Sequence, residues 1–151
     1  MSIHSERARD LFLEGYNCSQ AIVGAFCEEL GLDTETALKL SSSFGGGMGG
    51  LREVCGALSG AFMVAGLLKG YSSPTDKAAK LAHYDLIQKI AERFREEEGT
   101  LLCRDLLAKC AIEAKKTPED RTPEYYRTRP CVAYVEKVAL FLDEMLFNRE
   151  A

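Results

Sequence analysis

Apolar residues recur along this chain at three- to four-residue intervals almost throughout, and nowhere in sustained alternation. That period belongs to helices that bury one face. Ala8, Leu11 and Phe12 mark an amphipathic helix over residues 4–14, and Ala21, Ile22, Ala25, Phe26 and Leu30 mark a second over 18–30, stopped by Gly31. A third spans 34–43, opened by Asp33 or Thr34. A fourth runs from Val54 to Leu68, closed by Gly70 and the turn Ser72-Ser73-Pro74. Ala79, Ala82, Leu86, Ile87, Ile90 and Phe94 form the stripe of a long fifth over 75–97, and 101–114 and 131–147 supply two more. Between these last two, residues 115–129 carry Pro118 and Pro123 and read as a surface loop. The pattern predicts an all-α, single-domain bundle of about six or seven helices over residues 1–151.

The cysteines fall on this framework unevenly. Asn17 is an N-cap residue directly before Cys18, Thr100 plays the same part for Cys103, Thr128 and Pro130 open the helix of Cys131, and Cys55 follows the glycine run 45–50. Four of six cysteines therefore sit at separate helix starts. Unpaired N–H groups and the positive end of the helix dipole favour a thiolate there, below the free-thiol value of roughly 8.5. Cys55, next to the glycine run and Arg52, is expected to be the most acidic. Cys27 and Cys110 lack such a cap and read as small packed groups, although Cys110, seven residues after Cys103, is a possible substitute ligand or resolving thiol if the helix runs on.

The fourth helix has an almost bare side. Gly56 and Gly60, with Ala57, Ala61 and Ala65 on the adjacent row, let another helix backbone come close. Such a helix is central to the packing, or serves self-association into a homo-oligomer. The glycine run is not a nucleotide fingerprint, because it follows a helix rather than a strand and lacks the Gly-Lys-Ser/Thr ending. Successive glycines can still turn backbone N–H groups into a concavity that holds an anion or a cluster, which makes Gly46, Gly47, Gly49 and Gly56 candidate cofactor-binding positions. Met48 in that run either shields such a site or anchors the loop. His4 and His83 lack paired spacing and read as surface or satisfied core.

Gly15-Tyr16-Asn17-Cys18, the run Phe44-Gly45-Gly46-Gly47-Met48-Gly49-Gly50, Cys55-Gly56-Ala57-Leu58-Ser59-Gly60 and the single Cys103 and Cys131 together resemble a family of redox-active proteins with four marked cysteines, one inside a CGAxxG motif. The resemblance spans nearly the whole chain and implies that Cys18, Cys55, Cys103 and Cys131 are the marked four. A similar domain occurs in split-Soret cytochromes c, where the resemblance implies an iron–sulfur site beside the haem. This chain has no CxxCH, so covalent haem c is not expected.

Two chemistries follow. Cys18, Cys55, Cys103 and Cys131 converge as ligands of an iron–sulfur cluster for electron transfer or redox sensing, or they act as a thiol–disulfide oxidoreductase with Cys55 attacking and a second cysteine such as Cys18 resolving. Zinc is less expected, since the separations are wide and no CxxC is present. A third class is a non-enzymatic helical accessory protein whose cysteines only pack. The redox partner leaves no motif. With 151 residues, 46% hydrophobic and 28% charged, the chain suits one domain, and a net charge of −4 with scattered Lys and Arg argues against nucleic acid. No apolar leader opens the sequence, and the longest uncharged stretch, Val54 to Leu68, is too short to insert into a membrane. A reducing cytoplasmic setting, with cysteines free, transiently oxidised or metal-bound, is the expectation.

Overall fold

Two helices meet where one of them has no side-chain bulk, and the rest of the bundle is arranged around them. The computed structural model describes residues 2–147; Met1 and residues 148–151 of the expected domain lie outside the described residues. Nine helices are described: α1 (Ile3–Leu13), α2 (Cys18–Ala25), α3 (Cys27–Leu30), α4 (Thr34–Ser41), α5 (Gly56–Lys69), α6 (Lys77–Glu98), α7 (Cys103–Ala108), α8 (Pro123–Thr128) and α9 (Cys131–Phe147). The fold is a single all-α domain. α2 and α5 form its centre, α1 and α9 pack on each other and on α2, α4 covers another side of α2, and α6 leans on α5 and α9.

At the centre, Gly60 is the point of closest approach. A Cβ there would lie 2.9 Å from Ile22 Cβ and 3.0 Å from the Ser19 carbonyl oxygen, and one on Gly56 would lie 3.2 Å from Cys18 Cβ. Ala57, Ala61 and Ala65 beside them are fully buried. Phe12, Ile22, Phe26, Leu58, Ile90, Phe94, Val135 and Leu142 fill the surrounding core. Each such side chain contributes on the order of 1.5–3 kcal/mol by leaving water.

Several boundaries differ from the periodicity. The helix expected over 18–30 breaks at Phe26, whose φ of −105° and ψ of 7° leave the helical region; its buried ring stacks on His4 with centroids 4.2 Å apart. The helix expected over 101–114 shrinks to α7. Leu101 and Leu102 are held instead in a short antiparallel contact: Cys55 N–H donates to the Leu101 carbonyl at 2.8 Å, Val54 bridges Leu102, and Cys103 N–H donates to the Glu53 carbonyl at 2.6 Å. Thr100 accepts from Leu102 N–H at 3.1 Å and so sits before the cap rather than at it. Cys55 is itself the N-cap of α5, one position outside the helix. Only the C-terminal half of the α6 stripe is fully buried, at Ile90 and Phe94, while Ala82 is exposed. The region read as loop contains α8, opened by Thr122 as N-cap and Pro123 at the first position.

The glycine run winds the wrong way. Gly46, Gly47, Met48, Gly49 and Gly50 all have positive φ, from 65° to 87°, and Gly49 N–H donates to the Gly45 carbonyl at 2.9 Å. This is a left-handed turn, and glycine is the residue that adopts it without steric cost. Met48 is the exception, at φ 71° and partly exposed.

α1 is fastened to the rest by His4, which is satisfied core. Its Nδ1 lies 2.7 Å from Asp143 on α9 and its Nε2 lies 2.7 Å from Glu29 on α3. His4 and Asp143 are fully buried.

Two stability predictions follow from these contacts. Gly60→Ala should destabilise by about 1–3 kcal/mol through overpacking, whereas Gly66→Ala, with nothing within 4 Å of its added Cβ, should gain up to about 1 kcal/mol; urea unfolding of both variants checks the contrast. His4→Ala strands the buried Asp143 carboxylate and should cost about 3–5 kcal/mol by the same measurement. Burial pushes the Glu29 carboxyl up, but the hydrogen bond from His4, a backbone hydrogen bond and the nearby His4 and Arg7 together hold the group below its usual range. Its stabilisation is thus present above the ordinary carboxylate range and is lost as pH falls through the lowered value, a limb that acid unfolding should lose in the His4 variant.

Candidate functional site

Each of the four marked cysteines is delivered by the start of a different helix. Cys18 opens α2 behind a reciprocal cap in which Asn17 accepts from Gln20 N–H at 2.9 Å and Gln20 Oε1 accepts from Asn17 N–H at 3.1 Å. Cys103 opens α7, Cys131 opens α9, and Cys55 caps α5. All four line one small cavity of about 50 Å³, together with Gly46, Gly47, Gly56, Arg52, Arg121 and Arg129. Cys55 is buried and the other three are half-buried.

Glycines set how closely these sulfurs are surrounded. A Cβ on Gly47 would lie 2.7 Å from Cys103 Cβ and 2.8 Å from Arg52 Cα, and one on Gly56 would meet the Phe44 carbonyl oxygen at 2.9 Å. Gly49 does not line the cysteine cavity; it faces a neighbouring one. Cys27 lies apart, with its sulfur 4.0 Å from Thr34 Oγ1. Cys110 is exposed beyond the end of α7, so it is neither packed nor on a helical face shared with Cys103.

The expected order of thiol acidity is reversed. Burial pushes the Cys55 thiol up to about 12, against the pull of the first-turn amides of Ala57 and Leu58. Cys103 is also raised by burial, which outweighs Arg52, whose Nη1 donates to the Cys103 sulfur at 3.5 Å. Cys18 and Cys131 face each other across the cavity. Cys18 is raised well above the ordinary thiol range, first by its neighbour Cys131 and then by burial. The same contact lowers Cys131; burial opposes it, and the guanidinium groups of Arg129, Arg121 and Arg52 add to the lowering. Cys131, not Cys55, is the marked thiol that its surroundings lower.

Arg52 and Arg121 are held by neutral or aromatic partners, and Arg129 by a carboxylate and a ring. Arg121 donates to the carbonyls of Phe12 and Tyr16, both at 3.0 Å, and lies 4.3 Å over the Phe12 ring. Arg52 donates to the Lys115 carbonyl at 2.7 Å, while Glu53, its sequence neighbour, pairs with Arg104 at 3.0 Å. Arg129 pairs with Glu119 and faces the Tyr125 ring at 4.7 Å. Tyr125 closes one wall, and burial pushes its hydroxyl up to about 12, so it stays neutral. Arg121 and Arg129 were not legible as site residues; the Thr122-Pro123 cap signal in their segment was available but lay inside an apparent loop.

Residues 16–145, which enclose every cysteine, match the family model described as "Putative redox-active protein (C_GCAxxG_C_C)". The chain belongs to this family. No curated protein and no solved structure matches it. For this redox-active protein four thiols are donors of the kind iron–sulfur clusters use; among the described residues, no group of three or more His, Cys, Asp or Glu side chains is placed to hold a single metal ion. Among the described residues, no helix is long and apolar enough to cross a membrane.

Because Cys131 alone is lowered, its alkylation by limiting iodoacetamide should rise at lower pH than that of Cys18, Cys55 or Cys103 and fall away as pH drops through the lowered value. Arg121→Met should move that midpoint upward. Peptide mapping in a Cys110→Ser background, which removes the exposed competitor, reads both effects.

Proposed function

We propose that this family member is a thiol–disulfide oxidoreductase in which Cys131 attacks and Cys18 resolves. The observation that carries the reading is the asymmetry of two thiols lining one cavity with three arginines: Cys18 is raised and Cys131 is lowered. A nucleophilic thiolate with a protonated partner within reach is what exchange requires. Cys131 S⁻ attacks one sulfur of a disulfide R–S–S–R, forming Cys131–S–S–R and releasing RS⁻. Cys18 then loses its proton, its sulfur attacks Cys131, and a second RS⁻ leaves as the Cys18–Cys131 disulfide forms. The protein gives up two electrons and the substrate gains them. Cys55 and Cys103, both raised, keep their protons and wall the cavity.

A second reading is favoured by one observation, the presence of all four marked cysteines on a single cavity. Ligation of an iron–sulfur cluster by Cys18, Cys55, Cys103 and Cys131 would use all four.

One experiment separates the two. The protein is purified without oxygen, its absorption spectrum and iron and sulfide content are recorded, and it is then treated with one equivalent of a disulfide and mapped. A colourless, iron-free protein yielding a Cys18–Cys131 disulfide, abolished by Cys131→Ser and retained in Cys103→Ser, is expected. Stoichiometric iron and sulfide lost in each of the four cysteine variants would replace the exchange reading with ligation.

A further inference from the structure

A larger cavity of about 410 Å³ adjoins the cysteines, sharing Asn17, Gly46, Arg52, Arg121, Tyr125 and Arg129 with the smaller one. Its volume falls in the range of small-molecule sites, roughly 300–1,000 Å³. Its charge runs against that of the chain. Arg52, Lys116, Arg121 and Arg129 line it with a single carboxylate, Glu119, in a protein of net charge −4.

The compensation of these cations is unusual. Among the described residues, Arg7, Arg9, Arg93, Arg95, Arg104, Arg127 and Arg129 each have a carboxylate partner; Arg52 and Arg121 do not, and both line this cavity. Lys116 forms no ion pair among the described residues either. Glu119 is already shared between Arg129 and Lys115. Carbonyls fix the guanidinium groups of Arg52 and Arg121 in place without cancelling their charge. Fixed cations without a carboxylate partner, beside a concave space of ligand size, attract a small anion and hold it at short range.

We infer that this cavity is the substrate pocket and that it selects small disulfides bearing carboxylates, seating their negative groups on Arg52, Lys116 and Arg121 with the sulfurs toward Cys131. The inference rests on the exchange reading of Cys131 and Cys18. It adds the substrate class to that reading.

Three disulfides of similar size and different charge test it on the reduced full chain: bis(2-carboxyethyl) disulfide, bis(2-hydroxyethyl) disulfide and cystamine. The rate of Cys18–Cys131 disulfide formation with each is divided by its rate with a free small thiol, which removes differences in leaving-group acidity. The anionic probe should exceed the neutral one by about tenfold or more at low ionic strength, cystamine should be slowest, and the preference should shrink toward unity in 1 M salt. Lys116→Glu should reduce the anionic-to-neutral ratio several-fold, with circular dichroism showing the fold retained. Equal normalised rates for all three, each still producing the Cys18–Cys131 disulfide, would overturn the substrate class and leave exchange standing. Failure of every probe to oxidise Cys131 would overturn both.

Discussion

The close contact between α2 and α5 is the constraint on which the rest depends. It exists because Gly56 and Gly60 present backbone where a side chain would meet Cys18, Ile22 and the Ser19 carbonyl. With that separation fixed, the start of α2 is drawn beside the start of α5, and Cys18 and Cys55 come to border one space. The left-handed turn at Gly46 and Gly47 then presses Arg52 and Cys103 against the same space, and α9, packed on α1 and α2, brings Cys131. Backbone contact at two glycines therefore governs the placement of thiols drawn from widely separated parts of the chain.

The electrostatics of the site are a contest between burial and cations, decided differently at each sulfur. Helix starts favour anions, but the effect is worth only about 0.3–1 kcal/mol in exposed settings, and desolvation of a buried thiolate readily exceeds it. Cys55 loses that contest despite the amides of α5. Cys131 wins it because three guanidinium groups and the proton of Cys18 act together. Cys131 alone of the four is lowered while the other three are raised.

Much of this could be read from residue order. Period 3.6 and the caps at Asn17, Asp33 and Gly31 located the first helices, and the small-residue row of α5 foretold its central place. The shared placement of four cysteines at helix starts was also legible, since caps are local. What escaped was non-local. Thr100 looked like a cap until Leu101 and Leu102 were claimed by the segment before Cys55. Arg121 and Arg129 sit among prolines, and nothing in the linear order says that their charge returns to a cysteine at position 18 or 131. The handedness of the glycine run depends on the contacts on either side of it, and composition alone left it open.

The contact of His4 with Asp143 spans 139 residues and ties the first helix to the last. Because Cys131 opens that last helix, any nascent chain halted before α9 carries Cys18, Cys55 and Cys103 but not the one sulfur favoured as a thiolate. During vectorial synthesis the three earlier thiols emerge before the burial that raises them exists, and the Cys18–Cys131 pair is assembled only when the last helix closes the fold.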